Sequence, residues 1–360
     1  MQVDMHYYGT YAIALAAGIP NNDARKLAYA SQYVDDSAAV EDSKHKDGGL
    51  LVTFSTAHHL IQSARTMVKN DQDSQRKIWV PNHFIPGGVG DTFEERAICT
   101  KDSKIARTMF AEHIQMALAR DYGLELLGIA THAYMDTFSH YGFSGFSSKY
   151  NKIVPASINS SGITDDKFLR KHKTKIYKIR EERIESTFKA NVVSFFTGTQ
   201  DSALGHGAVM SFPDMPYLNW EFEFPIARPG EGTMSTRSNR MTFMQAAKRV
   251  HENLSKFAQE RYQAPEIKEF KEIRRTIARV LATEGDEKIR SNAWLQSGLL
   301  PAGAKIYDKN EWDSHKITFS SLNDSRQGIG LSCYRFHQAA TYHRYYMLKD
   351  LLPRFGLAVY

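Results

Sequence analysis

One apolar segment near the middle of the chain, LLGIATHAYMDTFSHYGFSG (residues 126–145), contains regularly spaced polar side chains. His132, Asp136 and His140 recur every four residues, and the residues between them are mostly apolar or small. An α-helix turns once in about 3.6 residues, so this spacing predicts that all three side chains project from one helical face. Burying an imidazole or a carboxylate without a partner costs roughly 2–7 kcal/mol. The segment therefore predicts a buried helix whose polar stripe has a partner, and a metal ion is the first candidate.

The composition fits a globular protein with an anionic partner. The 360 residues include 42% hydrophobic side chains and carry a formal net charge of +6, enough apolar material for a substantial core. Cys99 and Cys333 lie far apart, which argues against a disulfide framework or a thiolate zinc site. The sequence shows neither a cleavable signal nor an apolar run of about 20 residues that could span a bilayer. We expect a cytoplasmic protein, or one exported without a cleavable signal peptide.

Helical patterns dominate the chain and predict a mainly α fold. The predicted helices cover residues 23–36, 53–69, 103–120 and 123–141, a basic helix at about 165–190, and at least four helices after Met241. A long loop is predicted at 144–165, extended structure at 208–226, and a polar Gly/Ser loop from there to about Asn239. The simplest division is a metal-binding helical core of residues 1–225, which includes the basic helix, and a C-terminal helical subdomain of residues 226–360 packed on it.

Other histidines and carboxylates in the predicted core offer further ligands. They are His6 in VDMHYY, Asp35 and Asp36 in YVDD, His58 and His59 in TAHH, His83 in PNHF, and His206 and Asp214 in GHGAVMSFPD. The acidic pair stands at a predicted helix C-terminus, where the helix dipole disfavours negative charge. Histidine and carboxylate without cysteine is the ligand set of zinc in hydrolytic sites, with manganese or iron as substitutes. Together these residues predict a metal centre.

Each of these residues also has a simpler interpretation when it is taken alone. A single histidine on an apolar helix is more often a hydrogen-bonded core residue than a ligand. His113, His337 and His343 lie among aromatic residues, which favours packing. The basic helix at about 165–190 is typical of a solvated face, and a lipid- or phosphate-facing surface is the alternative. The triple on one helix, combined with the other histidines and acids, is what favours a metal.

The order of these residues resembles the zinc-dependent phospholipase C superfamily, whose fold the single-strand-specific zinc nucleases share. An early histidine, an acid on the next helix and a middle histidine precede a helix with His-x3-Asp and a further histidine. A glycine-flanked histidine with a later acid follows. The chain is also similar to an uncharacterised bacterial family with HYY, QYVDD, HAYMDTFSHYGFSG and GHGAVMSFPD segments. The resemblance covers roughly residues 1–225 and implies a zinc-dependent phospholipase C-like helical core.

Carried over residue by residue, the resemblance implies a cluster of two or three zinc ions. Its ligands would be His132, Asp136, His140, His6, either His58 or His83, either Asp35 or Asp36, and His206 with Asp214. Asp35 or Asp36 would also act as general base. The spacing between Asp136 and His140 is shorter than in the characterised enzymes, and that between His206 and Asp214 is longer. Those enzymes also use an N-terminal amine, freed by signal cleavage, as a ligand.

The chemistry implied by this resemblance is phosphodiester hydrolysis. Zinc lowers the pKa of bound water from 15.7 to about 7, so hydroxide is available near neutral pH to attack phosphorus. The expected substrate is a phosphodiester, with phospholipid preferred over nucleic acid, and the protein would contact membranes peripherally. A single-strand nuclease is the nearest alternative, and it needs an aromatic pocket for a base, supplied by Tyr7, Tyr8, Tyr33, Tyr134 or Trp220. A non-catalytic effector or binding protein with a closed, structural metal centre is the third hypothesis.

Overall fold

The computed structural model describes residues 1–57, 75–161, 204–263 and 265–359. Within these ranges the protein is mainly helical, as predicted, with two small antiparallel sheets. The predicted basic helix at about 165–190, most of the predicted helix at 53–69, and both His58 and His59 lie outside the described residues. None of the described helices is long and apolar enough to cross a bilayer.

Many of the described helices lie where the sequence predicts them, but three shorter ones before residue 100 were not predicted, and the described start of the predicted helix at 53–69, residues 53–57, is not helical. The described helices are α1 (Thr10–Ala16), α2 (Asn21–Asp36), α3 (Val80–Asn82), α4 (Phe93–Arg96), α5 (Lys104–Ala119), α6 (Gly123–Asp136), α7 (Asn239–Arg261), α8 (Phe270–Leu281), α9 (Glu287–Leu295), α10 (Asn310–Ser321), α11 (Ser332–Tyr345) and α12 (Leu352–Arg354). Single π-helical turns precede α1 (Asp4–Gly9) and α3 (Gln75–Trp79). The prediction that one helix covers 123–141 is wrong at its C-terminal end, because α6 stops at Asp136 and turns follow.

The central helix α6 is buried on every side because other helices surround it. It packs against α2, α5 and α11, and its residues from Glu125 to Asp136 are all buried. The approach of α2 is closest at Gly128, where an added Cβ would lie only 2.4 Å from the Leu27 carbonyl oxygen and 2.6 Å from Ala30 Cβ. A residue with a side chain could not occupy this position without moving α2. The sequence of α6 therefore places one glycine where two helix backbones meet.

The strands form a hairpin and a three-stranded sheet. Strands β1 (Asp42–Lys44) and β2 (Leu50–Val52) pair with each other. Strand β4 (Asn219–Arg228) lies between β3 (Val154–Ser161) and β5 (Gly232–Ser238). The predicted loops at 144–165 and up to Asn239 are wrong where β3 and β5 form. Both strands have polar sequences, and pairing with the more apolar β4 determines their conformation.

The main apolar core draws on both predicted divisions of the chain. A single cluster of buried side chains runs from Met1 to Val359 and includes residues of α1, α2, α5, α6, α7, α8 and α11. The predicted boundary after residue 225 falls within β4. A second, aromatic cluster lies on the three-stranded sheet, where Phe222 stacks against Trp220 and Phe143. The sheet thus packs beside the chain segment that follows α6.

Candidate metal centre

The C-terminal end of α6 provides the centre of a polar cluster. His132 and Asp136 lie one turn apart, and His132 Nε2 is 3.2 Å from Asp136 Oδ2. Beyond the helix end, the His140 amide donates to the Asp136 carbonyl at 2.8 Å, so the chain completes one more helix-like turn. His140 Nε2 then lies 3.3 Å from Asp214 Oδ1. The structure therefore brings His140 to the cluster although it lies outside the helix.

A buried arginine holds the turn that carries His140. Arg237 on β5 donates to the Ser139 carbonyl at 3.0 Å and to the Tyr141 carbonyl, and its guanidinium stacks on the Tyr141 ring at 3.9 Å. Carbonyl groups at a helix C-terminus are otherwise unsatisfied, and a cation there is favourable. Burial lowers the pKa of Arg237. The three-stranded sheet thus fixes the position of His140 through backbone contacts.

Only one member of the acidic pair at the end of α2 faces the cluster. Asp35 Oδ1 lies 3.7 Å from His132 Nε2 and 3.8 Å from His83 Nδ1. The Asp36 carboxylate instead accepts hydrogen bonds from the Tyr307 hydroxyl at 2.7 Å and from Gln32 at 3.2 Å. Adjacent helical residues point about 100° apart, so both carboxylates cannot face one site. The structure therefore does not place Asp36 with the predicted ligands, and it leaves Asp35 as the candidate.

His83 comes from the turn that follows α3. Its Nδ1 lies 3.2 Å from His132 Nε2 and 3.3 Å from Asp136 Oδ2. Its Nε2 donates to the Thr56 carbonyl at 2.9 Å. Of the two sequence candidates for this ligand position, His83 lies in the cluster and His58 lies outside the described residues.

The N-terminal segment supplies His6, which is fully buried. Its Nε2 is 3.2 Å from Asp136 Oδ1, and its ring stacks on that of His132 at a centroid distance of 3.8 Å. Neither ring nitrogen hydrogen-bonds to a described residue. The α-amino nitrogen of Met1 lies 2.7 Å from Asp136 Oδ1 and 3.1 Å from Asp214 Oδ1. A buried imidazole whose close polar contact is the Asp136 carboxylate is favourable when a proton or a cation lies between the two groups.

His206 and Asp214 complete the cluster on the side of the second apolar core. His206 Nε2 is 3.7 Å from Asp214 Oδ2, and Asp214 lies in a 3₁₀ turn, Phe212–Asp214. The chain between them bends sharply at Met210, whose φ is +51°. The eight-residue spacing that departs from the family pattern is thus accommodated by a compact loop.

The ligand atoms of these residues form three overlapping groups. Each group contains nitrogen or carboxylate oxygen atoms that lie within 4.8 Å of one another. The groups are His6 with Asp35 and His132, His83 with His132 and Asp136, and His140 with His206 and Asp214. Of the ligands offered by the sequence, Asp36 is absent from these groups, and His58 and His59 lie outside the described residues.

Backbone carbonyls fix the orientation of four of the histidine rings. The outer nitrogen of each ring donates to a carbonyl oxygen: His132 Nδ1 to Ser31 (2.7 Å), His83 Nε2 to Thr56 (2.9 Å), His140 Nδ1 to His83 (2.8 Å) and His206 Nδ1 to Met210 (2.6 Å). A carbonyl can only accept, so these outer nitrogens carry the hydrogen. In a neutral ring the inner nitrogen is then a lone pair. Metal-binding histidines are oriented in the same way.

One contact shows what this arrangement requires. His83 Nδ1 and His132 Nε2 are 3.2 Å apart, and both are inner nitrogens. With two neutral rings, two lone pairs would face each other beside the Asp136 carboxylate. The contact is favourable only when a proton or a cation lies among these atoms. The donor set of imidazole and carboxylate, with no thiolate, suits zinc.

The charge states fit a site that binds a cation. Burial lowers the pKa of His6 well below its usual value, and burial also lowers that of His206, to about 4. At His83 burial acts in the same direction, but Asp136 and Asp35 outweigh it and raise the pKa. Burial alone would raise the pKa of Asp136, but His140, the Met1 amine and His132 hold it well below its usual range. At neutral pH the centre therefore offers an ionised Asp136 and neutral rings at His6 and His206.

The close approach of α2 and α6 at Gly128 supports one of these hydrogen bonds. Ser31 follows Ala30 on α2, and a Cβ at Gly128 would lie 3.0 Å from the Ser31 nitrogen. The Ser31 carbonyl is the acceptor for His132, one helical turn beyond Gly128. The glycine thus brings the α2 backbone near enough to orient the His132 ring.

The cluster opens into a cleft of about 260 Å³. Asp35, Asp136 and Asp214 line it together with Trp79 and Phe84. Phe84 stacks on the His140 ring at 4.7 Å. Sequence reasoning missed Trp79 and Phe84, and the aromatic position next to His83 in WVPNHF is the signal that could have found them. The five aromatic residues predicted for base stacking, Tyr7, Tyr8, Tyr33, Tyr134 and Trp220, are all buried and do not line this cleft.

Comparison with known families places the chain in one of them. The sequence model of DUF6765, a family of unknown function, matches residues 1–351. The chain belongs to this family. Comparisons with curated proteins and with solved structures gave no match. The likeness to zinc-dependent phospholipases C therefore stays a prediction. For this DUF6765 protein, the chemistry of the site is the guide to function.

Proposed function

We propose that this protein is a metal-dependent hydrolase of phosphodiesters, with zinc as the metal and a phospholipid as the preferred substrate. The observation that carries the proposal is the convergence of inner histidine nitrogens and carboxylates, above all the 3.2 Å contact between His83 Nδ1 and His132 Nε2. Because the outer nitrogens donate to carbonyls, the inner atoms can share only a proton or a cation. Ordinary core histidines do not need this arrangement.

The three ligand groups would hold two or three zinc ions, with manganese or iron as substitutes. Bound zinc acts as a Lewis acid toward a phosphoryl oxygen and lowers the pKa of water to about 7. His132 belongs to two of the groups, and because its Nδ1 donates to the Ser31 carbonyl, its Nε2 would bind an ion of only one of them. Asp136 and Asp214 supply the negative charge that offsets the ions inside the protein.

Asp35 is the chain's best candidate for proton transfer. Its side chain is 33% exposed, whereas Asp136 is 1% exposed, so Asp35 is the carboxylate of the central groups that substrate and water can reach. Burial raises its pKa, although the neighbouring His132 and His83 oppose this shift. A raised pKa brings a carboxylate closer to the value at which a general base works efficiently near neutral pH. We assign Asp35 the role of accepting a proton from the attacking water.

The open cleft favours a catalytic centre over a structural one. Structural zinc sites are closed by four protein ligands, whereas catalytic sites keep a position for water or substrate. Here the ligand groups line a cleft in which Trp79 is partly exposed. An aromatic ring at that position can cover a lipid headgroup or stack on a base. A single-strand nuclease is therefore the second candidate, favoured by Trp79 alone, since the predicted stacking residues elsewhere are buried.

Elemental analysis of untagged protein tests the proposal, with His132→Ala compared with wild type. We expect two or three zinc ions per chain in wild type and a loss of at least one in His132→Ala. His315→Ala removes a half-buried histidine on α10 that lies outside the three groups, and it should keep the full metal content.

Turnover of the same preparations on phosphatidylcholine, a chromogenic phosphodiester and single-stranded DNA then distinguishes the functions. Lipid hydrolysis that disappears in His132→Ala supports a phospholipase function. Preferential hydrolysis of DNA supports a nuclease function. A wild-type protein that neither contains nor takes up zinc, manganese or iron would refute a metal-dependent hydrolase of any kind. Metal bound without turnover on any diester would favour a structural centre.

A further inference from the structure

A second surface feature lies between α7 and α8. The two helices pack side by side and leave a groove of about 570 Å³ between their exposed faces. None of the candidate metal ligands lines it. The groove therefore has no part in the proposed metal chemistry, and its composition needs a separate explanation.

The rim of the groove is strongly basic. Its charged residues are Arg240 and Lys248 from α7, and Lys271 and Arg274 from α8, and no acidic side chain lines it among the residues that the structure describes. Lys248 pairs with Glu252 at 3.7 Å and Lys271 with Glu269 at 2.6 Å. Arg240 and Arg274 form no ion pair with any described residue. The groove therefore carries two uncompensated guanidinium groups within a basic rim, in a chain whose net charge is already +6.

Apolar side chains also line the groove. Met241 and Met244 from α7 and Phe270 from α8 line it. The Met241 side chain is 63% exposed, although methionine is among the residues most often buried. A solvated face does not need an exposed methionine beside unpaired arginines. Basic side chains around an exposed apolar strip are typical of a helix surface that lies at a membrane interface.

We propose that this groove docks the protein on a bilayer that contains anionic phospholipids. The arginines would bind phosphate groups, and Met241 would enter the boundary between headgroups and acyl chains. A second copy of the chain is a poorer occupant, because a symmetric dimer would bring two basic rims together. Single-stranded nucleic acid is also a poorer occupant, because Phe270 is the only aromatic residue among the described lining.

Sedimentation with vesicles measures binding and not product, so it tests this docking surface separately from any hydrolysis at the metal centre. Wild type should bind vesicles of equimolar phosphatidylcholine and phosphatidylglycerol and should not bind phosphatidylcholine alone. The double variant Arg240→Glu/Arg274→Glu should lower the partition coefficient by at least roughly tenfold, because it removes and reverses two surface cations. Met241→Gln should lower it roughly threefold at high salt, where the apolar contribution dominates.

The matched control is Lys305→Glu/Lys309→Glu, which changes the net charge equally at exposed positions outside the groove. This control should retain partitioning to within about twofold. All these positions are exposed, and unchanged melting curves would show that the variants fold. Equal losses in both double variants would overturn the proposal in favour of net charge.

Three further outcomes would also overturn it. Wild type could fail to bind anionic vesicles. The groove variant could lose binding to a single-stranded oligonucleotide and not to vesicles. Finally, the groove variant could convert a dimer to a monomer in analytical ultracentrifugation, which would identify the groove as a subunit interface.

Discussion

A carboxylate is buried near each end of α6 to the same extent, but the pKa values of the two shift in opposite directions. Glu125 in the first turn and Asp136 at the last residue are each 1% exposed. Neither Glu125 oxygen hydrogen-bonds to a described residue, and burial raises its pKa to about 7. Burial also disfavours the ionised Asp136, but the surrounding nitrogen groups hold its pKa well below the usual range. Burial alone therefore does not identify a functional acid, because the nearby charges and donors decide its state.

The same contrast separates two pairs of buried histidines. His343 Nε2 donates to the Pro81 carbonyl at 2.8 Å, which leaves its Nδ1 free to accept from His113 Nε2 at 2.9 Å. Donor and acceptor match along this chain, and no carboxylate takes part. In the His83–His132 pair both outer nitrogens already donate, so two acceptors meet. The first pair is ordinary core packing, whereas the second needs a proton or a cation between the two rings.

The largest expected effect comes from Asp136→Asn. This change removes the central anion, which contacts the Met1 amine and four imidazole rings, and leaves Asp214 as the carboxylate beside the amine. We expect the loss of at least one metal ion per chain, undetectable turnover, and a free energy of unfolding lower by about 3–5 kcal/mol. Elemental analysis and urea denaturation measure these effects. A variant that keeps its full metal content would show that the negative charge of Asp136 is not needed to hold the metal.

Asp35→Asn separates metal binding from proton transfer. The amide oxygen can still contact a metal but cannot accept a proton from water. Turnover should fall roughly 10²–10⁴-fold, the usual contribution of a general base, while the metal content stays at the wild-type value. Turnover and metal content should be measured on the same preparation of each protein. Turnover equal to wild type would remove Asp35 from the catalytic role.

Glu125→Gln makes the same carboxylate-to-amide change at the other end of α6, and its effect should have the opposite sign. Burial raises the pKa of Glu125 from 4.5 to about 7, so the folded state holds the proton more tightly than the unfolded chain. The contribution of this tighter proton binding to the free energy of unfolding is complete below pH 4.5 and is lost as the pH rises to 7. The variant should therefore be more stable than wild type by roughly 3 kcal/mol at pH 8 and nearly equal at pH 4. Denaturation curves of both proteins at both pH values measure this. A variant whose stability relative to wild type is the same at pH 8 as at pH 4 would contradict the prediction.

His113→Leu tests the ordinary histidine pair and should have the smallest effect. It leaves His343 Nδ1 without its donor, which costs about 1–3 kcal/mol of stability. The metal content and turnover should not change, because neither histidine belongs to a ligand group. Loss of metal on this substitution would show that the two histidine networks are coupled.

Helical periodicity accounts for what the sequence predicted well. The four-residue interval of His132 and Asp136 correctly indicated one face of a buried helix, and the helices after Met241 followed their apolar pattern. Periodicity could not show that α6 ends at Asp136, because the turn to His140 depends on Arg237 from a strand about 100 residues away. It also could not choose between Asp35 and Asp36, since the rotation of α2 relative to α6 is a property of their packing.

Strand pairing and the positions of backbone acceptors could not be predicted from the sequence alone. The polar segment GTMSTRS becomes β5 only because β4 is beside it. The carbonyls of Ser31, Thr56, His83 and Met210 orient the rings, but every residue type has a carbonyl group. Their role depends on position in space, which no residue pattern records. The residues that meet in the polar cluster were therefore largely predictable, and the backbone geometry that orients them was not.

The helix contact at Gly128 has a consequence for how this centre can vary. A missing side chain there lets the Ser31 carbonyl reach His132, so ring orientation and the separation of the α2 and α6 ligands depend on the same backbone contact. Even one methyl group would spread the two helices and move the ligands of one helix away from those of the other. The distance between the proposed ligands on the two helices thus depends on a residue that is not itself a proposed ligand. Tuning of metal affinity in related sequences should appear along this helix seam as well as at the histidines.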